Sequence, residues 1–174
     1  MKELLNKNSR QFNWSVIGTL ESSLSCEKLW SIISSPSNLE MFHPFCKKNP
    51  TINWPGLNSI DEVHYYNGLI YERNFILWED KKGYGLLIGE KNKEKSLVFW
   101  EIFQKNNKSK LSISIYPHMY NKGNKVLNFL PFHLIVKPSL SKYINSVMNG
   151  LDYYIKTNVN VKKNQFGKHN FFSN

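Results

Sequence analysis

The sequence predicts an α+β domain in which a curved, seven-stranded antiparallel sheet wraps a long C-terminal helix, with two short helices after the first strand. Three observations carry this reading. Hydrophobic spacing is helical between Ser25 and His43 and changes to a period of two after Pro44. The β-type runs that follow are separated by tight-turn sequences, so they pair as a meander of hairpins. Pro138 then opens a stretch in which Leu140, Tyr143, Ile144, Val147 and Leu151 recur at three- and four-residue steps, the stripe of an amphipathic helix reaching about Asn158.

Each element has a local cause. Phe12 to Glu21 alternates and is rich in β-formers, so it reads as a strand. Ser25 is placed to cap a helix from Cys26 to about Ser34, which Pro36 ends. Ser37 is placed to cap a second helix, Asn38 to about His43, which Pro44 stops. Phe45 to Trp54 reads as a weak strand closed by Pro55-Gly56. Ile60 to Tyr66 and Leu69 to Glu79 flank Asn67-Gly68, a strong two-residue hairpin turn. Tyr84 to Glu90, Lys95 to Gln104 and Ser109 to Met119 complete the meander. In the last of these, Leu111, Ile113 and Ile115 alternate with Ser112 and Ser114, giving one covered and one wet face. Val126 to Val136 is apolar and interrupted by Pro131. It reads as a short helix and an extended linker, favoured as packed structure over a pocket lid or a dimer contact. A single domain covers 1–174, with residues 1–11 a flexible N-terminus and 160–174 a basic, aromatic tail.

The 174-residue chain is 41% hydrophobic and 14% aromatic, enough for one real core. It carries 23 Lys and Arg against 13 Asp and Glu, a formal net charge of +10, which favours polyanionic partners. Arginine occurs only at Arg10 and Arg73, and the lysines follow the hairpin turns, so base readout by arginine forks is disfavoured. No stretch is apolar enough for a signal peptide or a membrane span, and two cysteines, Cys26 and Cys46, make no disulfide framework; the default location is the cytoplasm. The expected state is a monomer or weak homodimer.

The segments SLSCEKLWSIISSPSNLEMFHPF, YYNGLIYERNFILW and KPSL…SVMNGLDYYI stand in the order of one strand, two helices, a meander and a terminal helix. In this the chain resembles the START-like superfamily, also called SRPBCC or helix-grip, over nearly its whole length. Its members include lipid and sterol carriers, coenzyme Q-binding proteins, polyketide cyclases and aromatases, hormone receptors and a ribosome-associated toxin. The resemblance implies a pocket between sheet and helix, and leaves its occupant open.

Candidate pocket residues are large side chains on the covered faces: Phe75, Leu77, Trp100, Ile113 and Ile115 from the sheet, and Val147, Met148 and Leu151 from the helix. Arg73 shares the inward parity of its strand, where it must be paired: by Glu72, Glu79, Glu101 or a ligand anion. His43, in FHPF, borders the expected mouth, where it caps a helix, faces solvent or acts as a base. The remaining histidines are dispersed. Gly150 interrupts the terminal helix, which calls for a close helix-to-sheet approach or room for a ligand. No metal is expected, because HxxxH, HExxH and paired-cysteine spacings are absent; neither GxSxG nor a phosphate loop occurs, and no cofactor is implied. The leading expectation is binding of a hydrophobic or amphipathic small molecule, such as a lipid, polyketide or isoprenoid. The alternatives are a polyketide cyclase-like enzyme, or a protein whose basic surface engages RNA, a ribosome or acidic membrane.

Overall fold

The computed structural model describes residues 11–105 and 108–173; most of the N-terminal segment expected to be flexible, residues 1–10, lies outside the described residues. The chain runs β1 (Val16–Ser22), α1 (Cys26–Ile33), α2 (Leu39–Phe42), β2 (Cys46–Lys48), β3 (Thr51–Asn53), β4 (Ile60–Tyr65), β5 (Ile70–Glu79), β6 (Gly83–Gly89), β7 (Ser96–Lys105), β8 (Lys108–Tyr116), α3 (Lys125–Pro131), a π-helical turn (Phe132–Val136) and α4 (Lys137–Thr157). Every pairing is antiparallel, in the order β1-β8-β7-β6-β5-β4-β2, with β3 also on β4. The first strand therefore closes onto the last, Val16 opposite Ile115, and the sheet curls round α4.

The weak strand expected over Phe45–Trp54 is two three-residue strands, so eight strands are seen among the described residues. Pro50 has no N–H for the ladder, and the side chain of Asn49 turns inward to a task of its own. Its Oδ1 accepts from Leu39 N at 3.3 Å, and its backbone N–H donates to Glu40 Oε1 at 2.7 Å. Asn49 thus caps α2 from a distance, the role the sequence assigned to Ser37. Ser37 itself has a left-handed backbone, φ +56°. The cap on α1 is as expected, Ser25 Oγ accepting from Lys28 N at 3.3 Å.

A bulge in β5 changes which residues face inward. Phe75 sits opposite Leu86 and Leu77 opposite Gly85, so one residue, Ile76, has no partner of its own. Alternation flips there. Phe75 and Trp78 lie on the concave side, while Leu77 joins Phe12, Leu97 and Phe99 in a small cluster on the outer face. Leu77 is consequently not a pocket residue.

α4 is held close at two points. At Gly18, on β1, a side-chain carbon would come within 2.8 Å of Ile144 Cγ1. At Gly150 a Cβ would overlap the Phe42 carbonyl oxygen and stand 3.4 Å from Pro44 Cδ. The close approach at Gly150 is therefore to the end of α2 and not to the sheet. Gly150→Ala is expected to lower stability by about 1–3 kcal/mol in urea unfolding, because the obstructing atom is backbone. Alanine's better helix propensity, worth about 1 kcal/mol, would dominate only in open space.

Residues 126–136 are helical and largely exposed, not packed. Phe132 and Val136 are buried, Phe132 stacking on Trp14 at 4.7 Å between ring centres, and His133 packs edge-on against the same Trp14 at 5.2 Å. Trp14 is fixed in turn by Asn121, whose Oδ1 accepts from Trp14 N at 2.8 Å while its Nδ2 donates to Trp14 O at 2.7 Å. The C-terminal tail is also ordered by contacts. Val161 N donates to Met41 O at 2.9 Å, Asn164 N to Pro44 O at 3.0 Å, and Ser146 Oγ to Phe166 O at 3.0 Å. It straps the α2–β2 junction and brings Phe171 and Phe172 beside the sheet.

A cavity between sheet and terminal helix

Between the concave face and the first half of α4 lies a cavity of about 270 Å³. Its apolar walls come from Leu86 on β6, Val98 and Trp100 on β7, Ile113 and Ile115 on β8, and Val147 on α4. One end is closed by an aromatic stack: Trp100 lies on Tyr84, with ring centres 5.6 Å apart, and Tyr84 on Trp78 at 5.7 Å. The other end is rimmed by Met119, Ile135 and Phe171, each of which lines the cavity and is also exposed.

One wall is polar. His43 is buried, and its Nδ1 accepts from Phe45 N at 3.2 Å. A neutral imidazole with Nδ1 so engaged carries its proton on Nε2, which donates to Tyr143 Oη at 2.8 Å. Tyr143 Oη is 3.1 Å from Tyr65 Oη, so the three groups form a chain in which two hydrogen bonds use two of three protons and one hydroxyl proton is left over. Burial, helped by the positive charge of Arg73, pushes the His43 pKa down to about 3. Burial also raises both tyrosines above their usual value. All three are neutral at pH 7. The ring of Phe172, from the tail, covers Tyr65 at 4.7 Å and Tyr143 at 4.8 Å.

Arg73 lies at the cavity floor, paired with Asp61. Its Nε donates to Asp61 Oδ1 at 2.7 Å and its Nη2 to Asp61 Oδ2, with Asn38 and Asn49 each accepting at 3.5 Å. The two residues face each other directly across β4 and β5. Both side chains are sealed from solvent, at 3% and 0% exposure, so the pair is fully desolvated. Burial opposes the guanidinium charge, but Asp61 more than offsets it and holds Arg73 protonated. The expected partners Glu72, Glu79 and Glu101 are not the ones used; Glu72 binds Lys95 at 2.6 Å.

No protein-family model matches the sequence, and neither does any curated protein. Solved structures do match. DynU16, from the dynemicin biosynthetic locus, superposes with a TM-score of 0.64 at 10% identity over 84% of this chain, which spans only 48% of DynU16. MLL2253 from Mesorhizobium loti gives 0.64 at 13% identity, covering 82% of this chain and 97% of its own. TTHA0849 from Thermus thermophilus gives 0.63 at 10% identity, covering 83% and 99%. The chain has the helix-grip fold.

In this helix-grip domain the residues singled out from sequence divide in two. Arg73, Trp100, Ile113, Ile115, His43 and Val147 line the cavity. Phe75, Met148 and Leu151 do not. Phe75 packs edge-on against Tyr84 at 5.2 Å within the aromatic plug, and Met148 and Leu151 belong to the closed core behind α4. His43 ends α2 as its C-cap residue, its backbone N–H donating to Leu39 O at 2.9 Å, but its ring is buried and does not face solvent, and it is not isolated from the other histidines. His169 stands 5.8 Å from the same Tyr143 ring, its Nε2 donating to Ser139 O at 3.0 Å. Sequence reasoning missed Asp61, Tyr65, Tyr143 as a hydroxyl donor, and Phe172. Asp61 shares the parity of Val63 and Tyr65 on β4, a signal that it points inward; Phe172 carried none.

Among the described residues no group of three or more His, Cys, Asp or Glu side chains is placed to hold a metal ion. Burial pushes the Cys46 thiol up to about 12, so it stays protonated and unreactive at neutral pH. No described helix is long and apolar enough to cross a membrane.

Proposed function

We propose that this helix-grip domain binds a small, neutral, mostly apolar molecule that presents a hydrogen-bond acceptor to the wall formed by Tyr65 and Tyr143. The observation that carries the reading is the pairing of an apolar cavity with that donor chain. Two of the chain's three protons are given to neighbours, which leaves one hydroxyl proton, from Tyr65 or Tyr143, for an occupant. Arg73 is spoken for by Asp61, so the cavity offers no uncompensated charge to a carboxylate or phosphate. A volume of about 270 Å³ suits one or two fused rings or a short chain and is too small for a two-chain lipid. Binding is favoured over proton-shuttling chemistry, because both nitrogens of His43 are engaged and its low pKa makes it a poor base at neutral pH.

The test is a thermal-shift series with ring ketones and phenols against the matched carboxylates, alongside native mass spectrometry of the purified chain. Saturation at about 100 times Kd adds about 2.7 kcal/mol, a shift of roughly 5–10 °C for a domain of this size. Neutral ketones are expected to give such shifts and carboxylates none. Tyr65→Phe should weaken ketone binding about tenfold, the loss of one hydrogen bond, and should also lower the unliganded melting temperature by a few degrees, because the buried Tyr143 hydroxyl loses its partner. Val147→Trp, which fills the cavity, should abolish the shift. Equal stabilisation of Val147→Trp and the unaltered protein would refute the reading.

A further inference from the structure

The outward side of α3 and the π-helical turn is the wrong way round for a soluble helix. Val126, Leu127, Leu130, Leu134 and Ile135 fall on one stripe, at steps of three and four residues, and it points away from the core: Val126 is 83% exposed, Leu127 75% and Leu134 70%. The inward side is held by Phe132 and Val136. Exposed lysines, Lys125 and Lys137, stand at the two ends of the stripe. The charge bias continues along the chain, since from Ile102 to Leu151 the sequence has seven lysines and no acidic residue; Lys122, just before the stripe, is paired with Glu94 at 3.2 Å. The stripe is also continuous with the cavity mouth, because Ile135 belongs to both, and exposed Met119 and Phe171 share that rim.

We infer that this face docks on an anionic lipid bilayer, the apolar stripe entering the interface and the lysines meeting acidic headgroups. An amphipathic helix of this kind lies in the membrane plane with its apolar face about 5–10 Å deep. Each lysine near an acidic surface adds about 1 kcal/mol. Charge decides between a bilayer and a second copy of the chain. Joining two copies through this face would bring two lysine-rich, acid-free segments of a +10 protein together, whereas an acidic surface neutralises them. The inference does not depend on what fills the cavity.

The experiment is vesicle flotation with the full chain, using phosphatidylcholine vesicles and vesicles in which about a third of the lipid is phosphatidylglycerol. The protein is expected to float with the anionic vesicles at about 0.05 M salt, to be largely released at about 0.5 M, and to ignore phosphatidylcholine alone. Leu127→Glu with Leu134→Glu, at exposed positions that leave the core intact, should cut binding at least tenfold. Lys125→Gln with Lys137→Gln should weaken it and flatten its salt dependence. Ile52→Glu, an exposed apolar site on β3, should bind like the unaltered protein. Failure to float with anionic vesicles would overturn the inference. So would equal loss in Ile52→Glu, or a sedimentation dimer that the Leu127/Leu134 variant dissociates. None of these outcomes bears on the thermal shifts, which are measured without lipid.

Discussion

Asp61→Ala will cost the fold on the order of 3–5 kcal/mol, a large share of what holds any domain of this size together. The loss is not the strength of one ion pair. Arg73 is buried, and with Asp61 gone its charge would be left with the neutral oxygens of Asn38 and Asn49, each 3.5 Å away, and the ring face of Phe75 at 5.3 Å. A guanidinium does not give up its proton to escape this, so the desolvation penalty falls in full on the folded state. The reciprocal variant separates this cause from mere loss of contacts. Asp61→Leu with Arg73→Met removes both charges and keeps the volume, and it should recover at least half of the lost stability. Guanidinium chloride unfolding at pH 7 measures both. If Asp61→Ala costs under about 1 kcal/mol, the buried-charge account is wrong.

The second large effect is a stability that drains away in mild acid. His43 has a pKa of about 3 in the folded chain against 6.5 for an ordinary histidine. Between those values the unfolded chain binds a proton that the folded chain refuses, so the stability present above pH 6.5 falls as pH falls, until about pH 3. The slope is about 1.4 kcal/mol per pH unit, up to about 5 kcal/mol over the window. The groups facing His43 reinforce the sign: Arg73 repels a second cation, and Tyr143 and Tyr65 are neutral. His169, also lowered by burial, adds a smaller contribution in the same direction. Urea unfolding at pH 7, 6 and 5 should show the decline. In His43→Asn, whose side-chain oxygen can still accept from Phe45 N, the decline should be shallower by about 1.4 kcal/mol per unit. An unchanged slope in that variant would remove His43 as the cause.

The meander was readable because its turns announce themselves: Asn67-Gly68 and the Asp80–Gly83 corner leave few other ways to connect the flanking strands. The pocket-facing residues expected on β7 and β8 followed from a simple period of two, whereas on α4 the helical stripe runs on past Val147 into the closed core, so Met148 and Leu151 share its face but not the cavity. What stayed hidden has physical reasons. Ile76 is as good a β-former as its neighbours, so nothing in its chemistry marks the bulge that sends Leu77 outward. Hydropathy reports how apolar a run is and not which side meets water, so Val126–Val136 read as packed. Phe172 reaches the tyrosines because Asn164 N bonds to Pro44 O, 120 positions earlier, and no local pattern encodes such a tie. The inward side of Asp61 is readable from alternation along β4, but its partner is not: a two-residue turn at Asn67-Gly68 sets Glu62 opposite Arg73, whereas the loop takes in Tyr66 as well, Tyr65 N bonding to Leu69 O at 2.8 Å, and that one-residue shift brings Asp61 to Arg73.

The pairing of β1 with β8 has a bearing on synthesis. Among the described residues the opening strand has no sheet neighbour except Lys108–Tyr116, so on the ribosome it must wait for 94 further residues, from Ser22 to Tyr116, before that ladder can form. At ordinary elongation rates that is on the order of 5–20 s with a strand edge unsatisfied. Contacts of such long sequence separation also slow folding once the chain is free. The nascent protein is consequently most vulnerable to aggregation in the interval before its last strand emerges, and that interval is set by topology rather than by the strength of any single contact.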